Sequence, residues 1–380
     1  MFNTCLTDNH CIFIIMKISD VVNLFERLAP PVLQESYDNA GLICGDAGRE
    51  CTGVLTCLDS TPSVIIEAIQ HGCNLVVAHH PIIFSGIKKL NGKNYIEEAI
   101  IMAIKNDIAI LAVHTNLDNI KSGVNKTMAD KMGLINRKVL AAKPGLLQKL
   151  FVFVPEAHAE SVKVAMFSAG AGDIGNYSEC SFSTGGEGSF KAGAGTQPFV
   201  GEQGLRHKEA EMRIEVIMPS WISHKVLKAM HDAHPYEEVA YDLVNLQNSY
   251  GEIGSGMIGE LASPMDATDF LRLLKQGFGL DIVRHTALTG KPVRTVALCG
   301  GAGSFLISKA LSANADVFVT ADLKYHEFFD ANGRMMICDI GHFESEQFTV
   351  DLLYNILREK FPNFAVLKTK VRTNPVHYFF

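Results

Sequence analysis

The sequence predicts an α/β fold: a three-layer core built from two similar halves, with a smaller α+β domain inserted between them. Three observations carry this expectation. Short apolar runs alternate with helical periods over residues 54–132 and again over 295–360, the pattern of parallel strands joined by crossover helices. Between about residues 145 and 246 the order changes to strand–helix–strand, strand–helix–strand, a ferredoxin-like order. The chain has 380 residues, too many for one ordinary domain.

Met16-Lys17-Ile18-Ser19-Asp20 reads as a natural start, with Ser19 or Asp20 capping a first helix. Residues 1–15 are then an extension expected to be disordered; their apolar run Cys11–Met16 is short for a signal-peptide core, and Asp8 precedes it. The first half of the core, residues 16–144, begins its alternation with Val54–Leu58, a strand ending at Asp59. Thr61-Pro62 opens a helix, threonine as cap and proline at the first helical position, and Gly72 follows as a stop. A strand over Leu75–Ala78, a helix around Tyr95–Lys105, a strand over Ile108–Val113 and a helix over Ser122–Met132 complete this half.

The middle domain, residues 145–246, reads as a strand at Leu150–Val154, a helix to Ala169, a loose Gly/Ser-rich stretch over 170–204 whose part 183–204 is a mobile loop, a strand at Met212–Met218, a helix over Ser220–Ala233 and a strand at Val239–Val244. The second half, residues 247–380, has a strand at Thr295–Cys299 and then Gly300-Gly301-Ala302-Gly303-Ser304, which could cradle a phosphate or form a plain tight turn. A helix over Phe305–Leu311, a strand at Val317–Thr320, a short helix at Tyr325–Asp330, a strand at Met335–Ile340 and a long helix over Ser345–Lys360 follow.

Composition narrows the function. A hydrophobic fraction of 47% and a charged fraction of 20% are those of a globular protein. The net charge of -7 argues against nucleic acid and against an anionic membrane surface. Nine scattered cysteines without a C-x-x-C pair read as free thiols of a reducing cytoplasm. No apolar run approaches the ~20 residues of a membrane span.

Chemistry concentrates at strand ends. Leu75–Ala78 runs into His79-His80-Pro81, Ile108–Val113 into His114 and then Asp118, and Met335–Ile340 into Gly341-His342-Phe343-Glu344-Ser345-Glu346. Open α/β sheets place their sites in the crevice at the carboxyl ends of strands. Imidazoles and carboxylates together suit Zn, Mn, Fe, Co or Ni. His342 and Glu346 share one helix face, where a carboxylate can bridge two cations. Neighbouring His79 and His80 point different ways, so they do not easily share one ion and each could serve its own. Asp118 is the better ligand of its loop, and His114 ligates or supports a ligand. Asp59, Asp322 and His326 also lie at or past strand ends, where pocket roles compete with helix capping or plain exposure. His234-Pro235-Tyr236-Glu237-Glu238 reads as a turn before a strand.

Glu35-Ser36-Tyr37-Asp38-Asn39-Ala40-Gly41-Leu42, Val77-Ala78-His79-His80-Pro81, His114-Thr115-Asn116-Leu117-Asp118, Thr320-Ala321-Asp322-Leu323-Lys324-Tyr325-His326-Glu327 and Gly341-His342-Phe343-Glu344-Ser345-Glu346 resemble the GTP cyclohydrolase 1 type 2 homologue family, also called Nif-three-like dinuclear-metal hexameric proteins. The resemblance runs from about Lys17 to the end, and the insert resembles a PII/CutA-like domain. It implies two divalent transition-metal ions per chain held by His79, His80, Asp118, His342 and Glu346, the last as the bridge. It also implies a ring-shaped homohexamer with its metal sites facing inward and the inserts over the openings. The reaction expected first is hydrolysis of a nucleotide or related small phosphorylated molecule, with Asp322 or His326 passing protons. A metal-loaded adaptor without catalysis, and a di-metal phosphatase or phosphodiesterase, are the alternatives.

Overall fold

The computed structural model describes residues 16–379; the extension 1–15 lies outside the described residues. The chain divides into two compact units, one holding the residues up to Ala141 and from Ile253 onward, the other Ala142–Glu252. The first unit contains every strand end singled out above.

Fifteen strands run in chain order among the described residues: β1 (Gly41–Cys44), β2 (Val54–Cys57), β3 (Leu75–Ala78), β4 (Ala109–Ala112), β5 (Ile135–Pro144), β6 (Leu147–Pro155), β7 (Ser181–Lys191), β8 (Arg206–Pro219), β9 (Tyr241–Leu246), β10 (Ser249–Met265), β11 (Arg284–His285), β12 (Val293–Ala302), β13 (Val317–Ala321), β14 (Met336–Asp339) and β15 (Val366–Lys368). One sheet of the first unit has the order β1-β4-β3-β2-β15 and the other β11-β14-β13-β12-β10-β5. Both have parallel centres, β15-β2-β3-β4 and β12-β13-β14, with antiparallel partners at their edges. Every residue of β2, β3, β4, β13 and β14 is buried, which is why these strands read as unbroken apolar runs instead of alternating ones. Leu55, Val76 and Ile110 pack with Val64, Ile65, Ala99 and Ala103 of two crossover helices. Val296, Val319 and Cys338 pack with Phe270, Leu274 and Phe278 in the second sheet.

The second unit is a four-stranded antiparallel sheet of order β7-β8-β6-β9 with helices Ala159–Ser168 and Ser223–Ala233. Its element order is strand, helix, strand, strand, helix, strand. The second of those strands corrects the sequence reading. Residues 183–191 lie in the stretch expected to be a mobile loop, yet they belong to β7, which pairs with β8 along its full length. Glycines 185, 186 and 188 mask the strand in sequence, because glycine normally signals a turn.

Other boundaries shift for local reasons. The first helix, Ile18–Leu28, is capped at Lys17, whose N–H donates to Asp20 at 2.8 Å; neither Ser19 nor Asp20 is the cap. The single long helix expected over 345–360 is two helices, His342–Glu346 and Thr349–Lys360. The segment Tyr325–Ala331 is a 3-10 helix. Strand β15 crosses from the C-terminal half to pair with β2 of the N-terminal half, so the last residues of the chain approach the first sheet.

Ala141 and Ile253 lie on neighbouring strands, β5 and β10. Replacing Ala142–Glu252 with a short Gly/Ser linker is therefore expected to leave a core that melts in one cooperative transition. Circular dichroism on heating checks this, and loss of the transition would show that the excised unit supports the core.

Candidate metal centre

Parallel pairing places the histidines. The N–H groups of His79 and His80 donate to the Cys57 and Leu58 carbonyls, extending the β2–β3 ladder by two residues. Pro81 has no N–H to continue it, so the chain leaves the sheet with two imidazoles at its end. His114 follows β4 and caps the short helix Thr115–Asp118. On the other sheet, Gly341 takes a φ of 90° after β14 and starts the helix His342–Glu346.

Each imidazole is fixed through Nδ1. His79 donates to the Val113 carbonyl at 2.8 Å, His80 to Asp59 Oδ1 at 2.7 Å, His114 to Asp38 Oδ1 at 2.8 Å and His342 to Asp322 Oδ2 at 2.6 Å. For three of them Nε2 then points at one carboxylate. Glu346 Oε2 lies 2.9 Å from His80 Nε2, 3.1 Å from His342 Nε2 and 3.9 Å from His79 Nε2. Asp118 Oδ1 is 3.6 Å from His79 Nε2.

The donors form sets able to hold a metal ion: His80, His342 and Glu346; His79, Asp118 and Glu346; and His79, His80 and His114. In each, one ligand atom per residue lies within 4.8 Å of the others. The chemistry of the pocket fits a cation. His79 Nε2 and Asp118 Oδ1 are buried without a hydrogen-bond partner, a cost of about 1–3 kcal/mol for each such group. A cation between them would satisfy both, and a mixed nitrogen and oxygen set suits the first-row divalent metals. A histidine ligand whose second nitrogen is held by a carboxylate or a backbone carbonyl is the usual arrangement around protein-bound metals.

The electrostatics point the same way. Burial opposes charge on His80, but its bonds to Asp59 and Glu346 raise it to about 9. Burial likewise opposes charge on His342, and Asp322 and Glu346 raise it to about 11. Burial acts on Glu346 too, yet the surrounding imidazoles hold it well below the usual carboxylate range. Asp118 goes the other way: burial, with Glu346 close by, pushes it up to about 6 against the pull of His79.

Residues 16–375 match the family model described as Duf34/NIF3 (NGG1p interacting factor 3). The chain belongs to the Duf34/NIF3 family. A Halalkalibacterium halodurans protein named GTP cyclohydrolase 1 type 2 homolog is 40% identical over 368 residues, covering 95% of this chain and 99% of that protein. A Bacillus subtilis protein of the same name is 38% identical over 328 residues, 85% of this chain and 87% of the relative. Among solved structures, a Bacillus cereus protein related to NIF3 superposes with a TM-score of 0.84 at 39% identity, covering 96% of this chain and all of that one (100%).

In this Duf34/NIF3 chain the five expected ligands, His79, His80, Asp118, His342 and Glu346, converge. Asp322 stands beside them, in a left-handed conformation at φ 56°, and orients His342. His326 does not join them. It is exposed, lies against the Tyr325 and Phe329 rings and does not line the cavity over the site. Asp59, left open between helix cap and pocket residue, lines that cavity and holds His80.

The sequence reading assigned no role to Asp38 or the Val113 carbonyl. Asp38 sits inside the Glu35–Leu42 motif, which was the available signal; a backbone carbonyl leaves none. The Gly300–Ser304 segment is not a plain tight turn: Gly300, Gly301 and Ala302 end strand β12, and Ser304 begins a 3-10 helix. Gly301 has φ +61°, and a Cβ there would lie 2.5 Å from Glu346 Oε1, so the glycine makes room for the shared carboxylate. Its N–H donates to Ser345 Oγ at 3.0 Å.

An imidazole that keeps its proton to about 9 or 11 must give it up to ligate a metal. Metal uptake near pH 7 is therefore expected to release protons from His80 and His342, and affinity to rise with pH through the neutral range. Calorimetric titration with Zn²⁺ in buffers of different ionisation heat measures the release, and an affinity independent of pH contradicts it. Gly301→Ala is expected to destabilise the fold by about 1–2 kcal/mol from backbone strain alone and to displace the Glu346 carboxylate. Elemental analysis after desalting should then show lost metal; full occupancy would contradict the reading of Gly301.

Proposed function

We propose that this protein is a two-metal hydrolase acting on a nucleotide or a related small phosphorylated molecule, and that it works as a homohexamer in the cytoplasm. The carrying observation is the pair of donor sets, His80 with His342 and His79 with Asp118, that share Glu346. Such pairs suit two cations roughly 3.5–4 Å apart. When bound, the ions would supply Lewis-acid polarisation of the bond under attack and acidify water held between them. The chain's own part is to fix the donors, exclude bulk water from His79, and leave room for a reactant.

That room is a cavity of about 720 Å³ lined by His80, His114, Asp118, His342 and Glu346. Its size is in the range of small-molecule sites. Tyr37, Phe84, Tyr95 and Phe305 also line it, offering faces to a flat heterocycle. Arg284 is the one lysine or arginine among the lining residues, and its guanidinium is paired with Asp339 at 2.9 Å. A phosphate group would thus be met by the metal ions more than by cationic side chains. The relatives' name, GTP cyclohydrolase 1 type 2 homolog, supports a nucleotide as the first substrate to try. The seven described cysteines are free thiols, in keeping with a reducing compartment. Among the described residues no helix is long and apolar enough to cross a membrane.

Incubating the metal-loaded protein with a panel of nucleotides and phosphoesters, with products identified by mass, tests the proposal. Formate release from GTP indicates ring opening and phosphate release indicates a phosphatase or phosphodiesterase. No turnover on any member would favour the adaptor reading. Turnover is expected to track metal loading and to fall strongly in Asp118→Asn, by no less than the roughly 10-fold lost when a mere supporting partner of a ligand is removed. Activity that survives complete metal removal would overturn the hydrolase reading.

A further inference from the structure

Beyond β15 the chain continues through residues 369–379 without helix or strand. The segment is nevertheless tied down at successive points. The Thr369 N–H donates to the Thr56 carbonyl at 2.9 Å, while its hydroxyl and the Lys370 N–H both donate to buried Glu67. Val371 packs on the core of the first sheet, and the Arg372 guanidinium stacks 5.5 Å from the centre of the Phe343 ring. These contacts bring Thr373 and Asn374 to the metal centre. Thr373 Oγ1 donates to Asp59 Oδ2 at 2.5 Å, and Asn374 Nδ2 to Glu344 Oε1 at 2.8 Å. Glu344 belongs to the helix that carries His342 and Glu346. Asn374, Pro375, Val376 and Tyr378 also line the cavity.

The two donor sets are supported unequally. His79 is fully buried and bonded to a backbone carbonyl, an acceptor that cannot rotate. His80 is held by a side chain, Asp59, whose carboxylate is one-third exposed (33%) and can turn towards water. Both Asp59 oxygens are engaged, one by His80 and the other by Thr373. Removing the hydroxyl leaves the carboxylate fastened at one oxygen only.

We infer that the C-terminal segment is a strap over the metal centre and that Thr373 is a positioning residue: through Asp59 it sets His80, and so the affinity of the ion held by His80, His342 and Glu346, while the ion held by His79 and Asp118 does not depend on it. This inference rests on the two-ion reading above. A partner one step behind a metal ligand typically changes affinity by about 10–100-fold. Thr373 acts one step further out, so an effect near the low end is expected.

The test is titration of the full-length, metal-stripped protein with Co²⁺, followed by visible absorption and elemental analysis. The unaltered protein should show two binding steps. Thr373→Val should keep one step and weaken the other about tenfold, with a change in the absorption of that step, and Thr373→Ser should restore both. Thr373→Ala carries the same test if valine is not accommodated. In an Asp118→Asn background, which removes the other donor set, Thr373→Val should still weaken the ion that remains. Two unchanged steps in Thr373→Val, or equal weakening of both, overturn the strap while leaving the two-ion reading intact. Fewer than two ions bound by the unaltered protein would remove the two-ion reading and the strap with it.

Discussion

The hydrogen bond at each histidine Nδ1 is the constraint on which the centre depends. An imidazole alone can rotate and present either nitrogen. With Nδ1 committed to Val113, Asp59 or Asp322, only Nε2 of His79, His80 and His342 is left to face Glu346. Three such rings around one buried carboxylate would repel one another if all were charged and would leave nitrogen lone pairs facing if all were neutral. Cations held by these donors would resolve that conflict, and the chain alone resolves it in part by holding protons on His80 and His342.

The fold exists to bring these anchors together. Two sheets with parallel, fully buried centres each end in polar residues at one edge of the core, and the donors come from both. Glu346 reaches into the middle because the β12 end carries glycine at 301 where any side chain would collide with it. The crossing of β15 onto β2 then returns the C-terminal segment to the first sheet, where it meets Asp59. Each feature is local, and together they place groups from opposite ends of the chain within hydrogen-bond reach.

The strand-end histidines 79, 80, 114 and 342 were legible because buried parallel strands are short apolar runs and the polar residues that follow mark their ends; the choice of Asp118 and Glu346 as their partners came with the family motifs, and the structure brings all of them to one cluster. Asp322 and Asp59 were visible as strand-end carboxylates, but their role was not, since orienting a ring depends on an angle that sequence does not carry. His326 met the same criterion and lies elsewhere, because the turn after Asp322 carries it outward among exposed rings. Strand β7 was hidden by its glycines, whose local preference is overridden by pairing with β8. Thr373 was beyond reach, as it bonds a residue 314 positions away.

The family and the arrangement of donors are established on sequence and geometry; the central claim is that one carboxylate serves two metal ions. Glu346→Gln keeps the shape of that side chain and removes its charge. Elemental analysis of this variant, purified without chelator beside the unaltered protein, tests the claim most directly. The account predicts that the unaltered chain carries close to two transition-metal ions and that the variant loses most of both. A variant that keeps one ion at full occupancy, or both, would contradict a shared ligand.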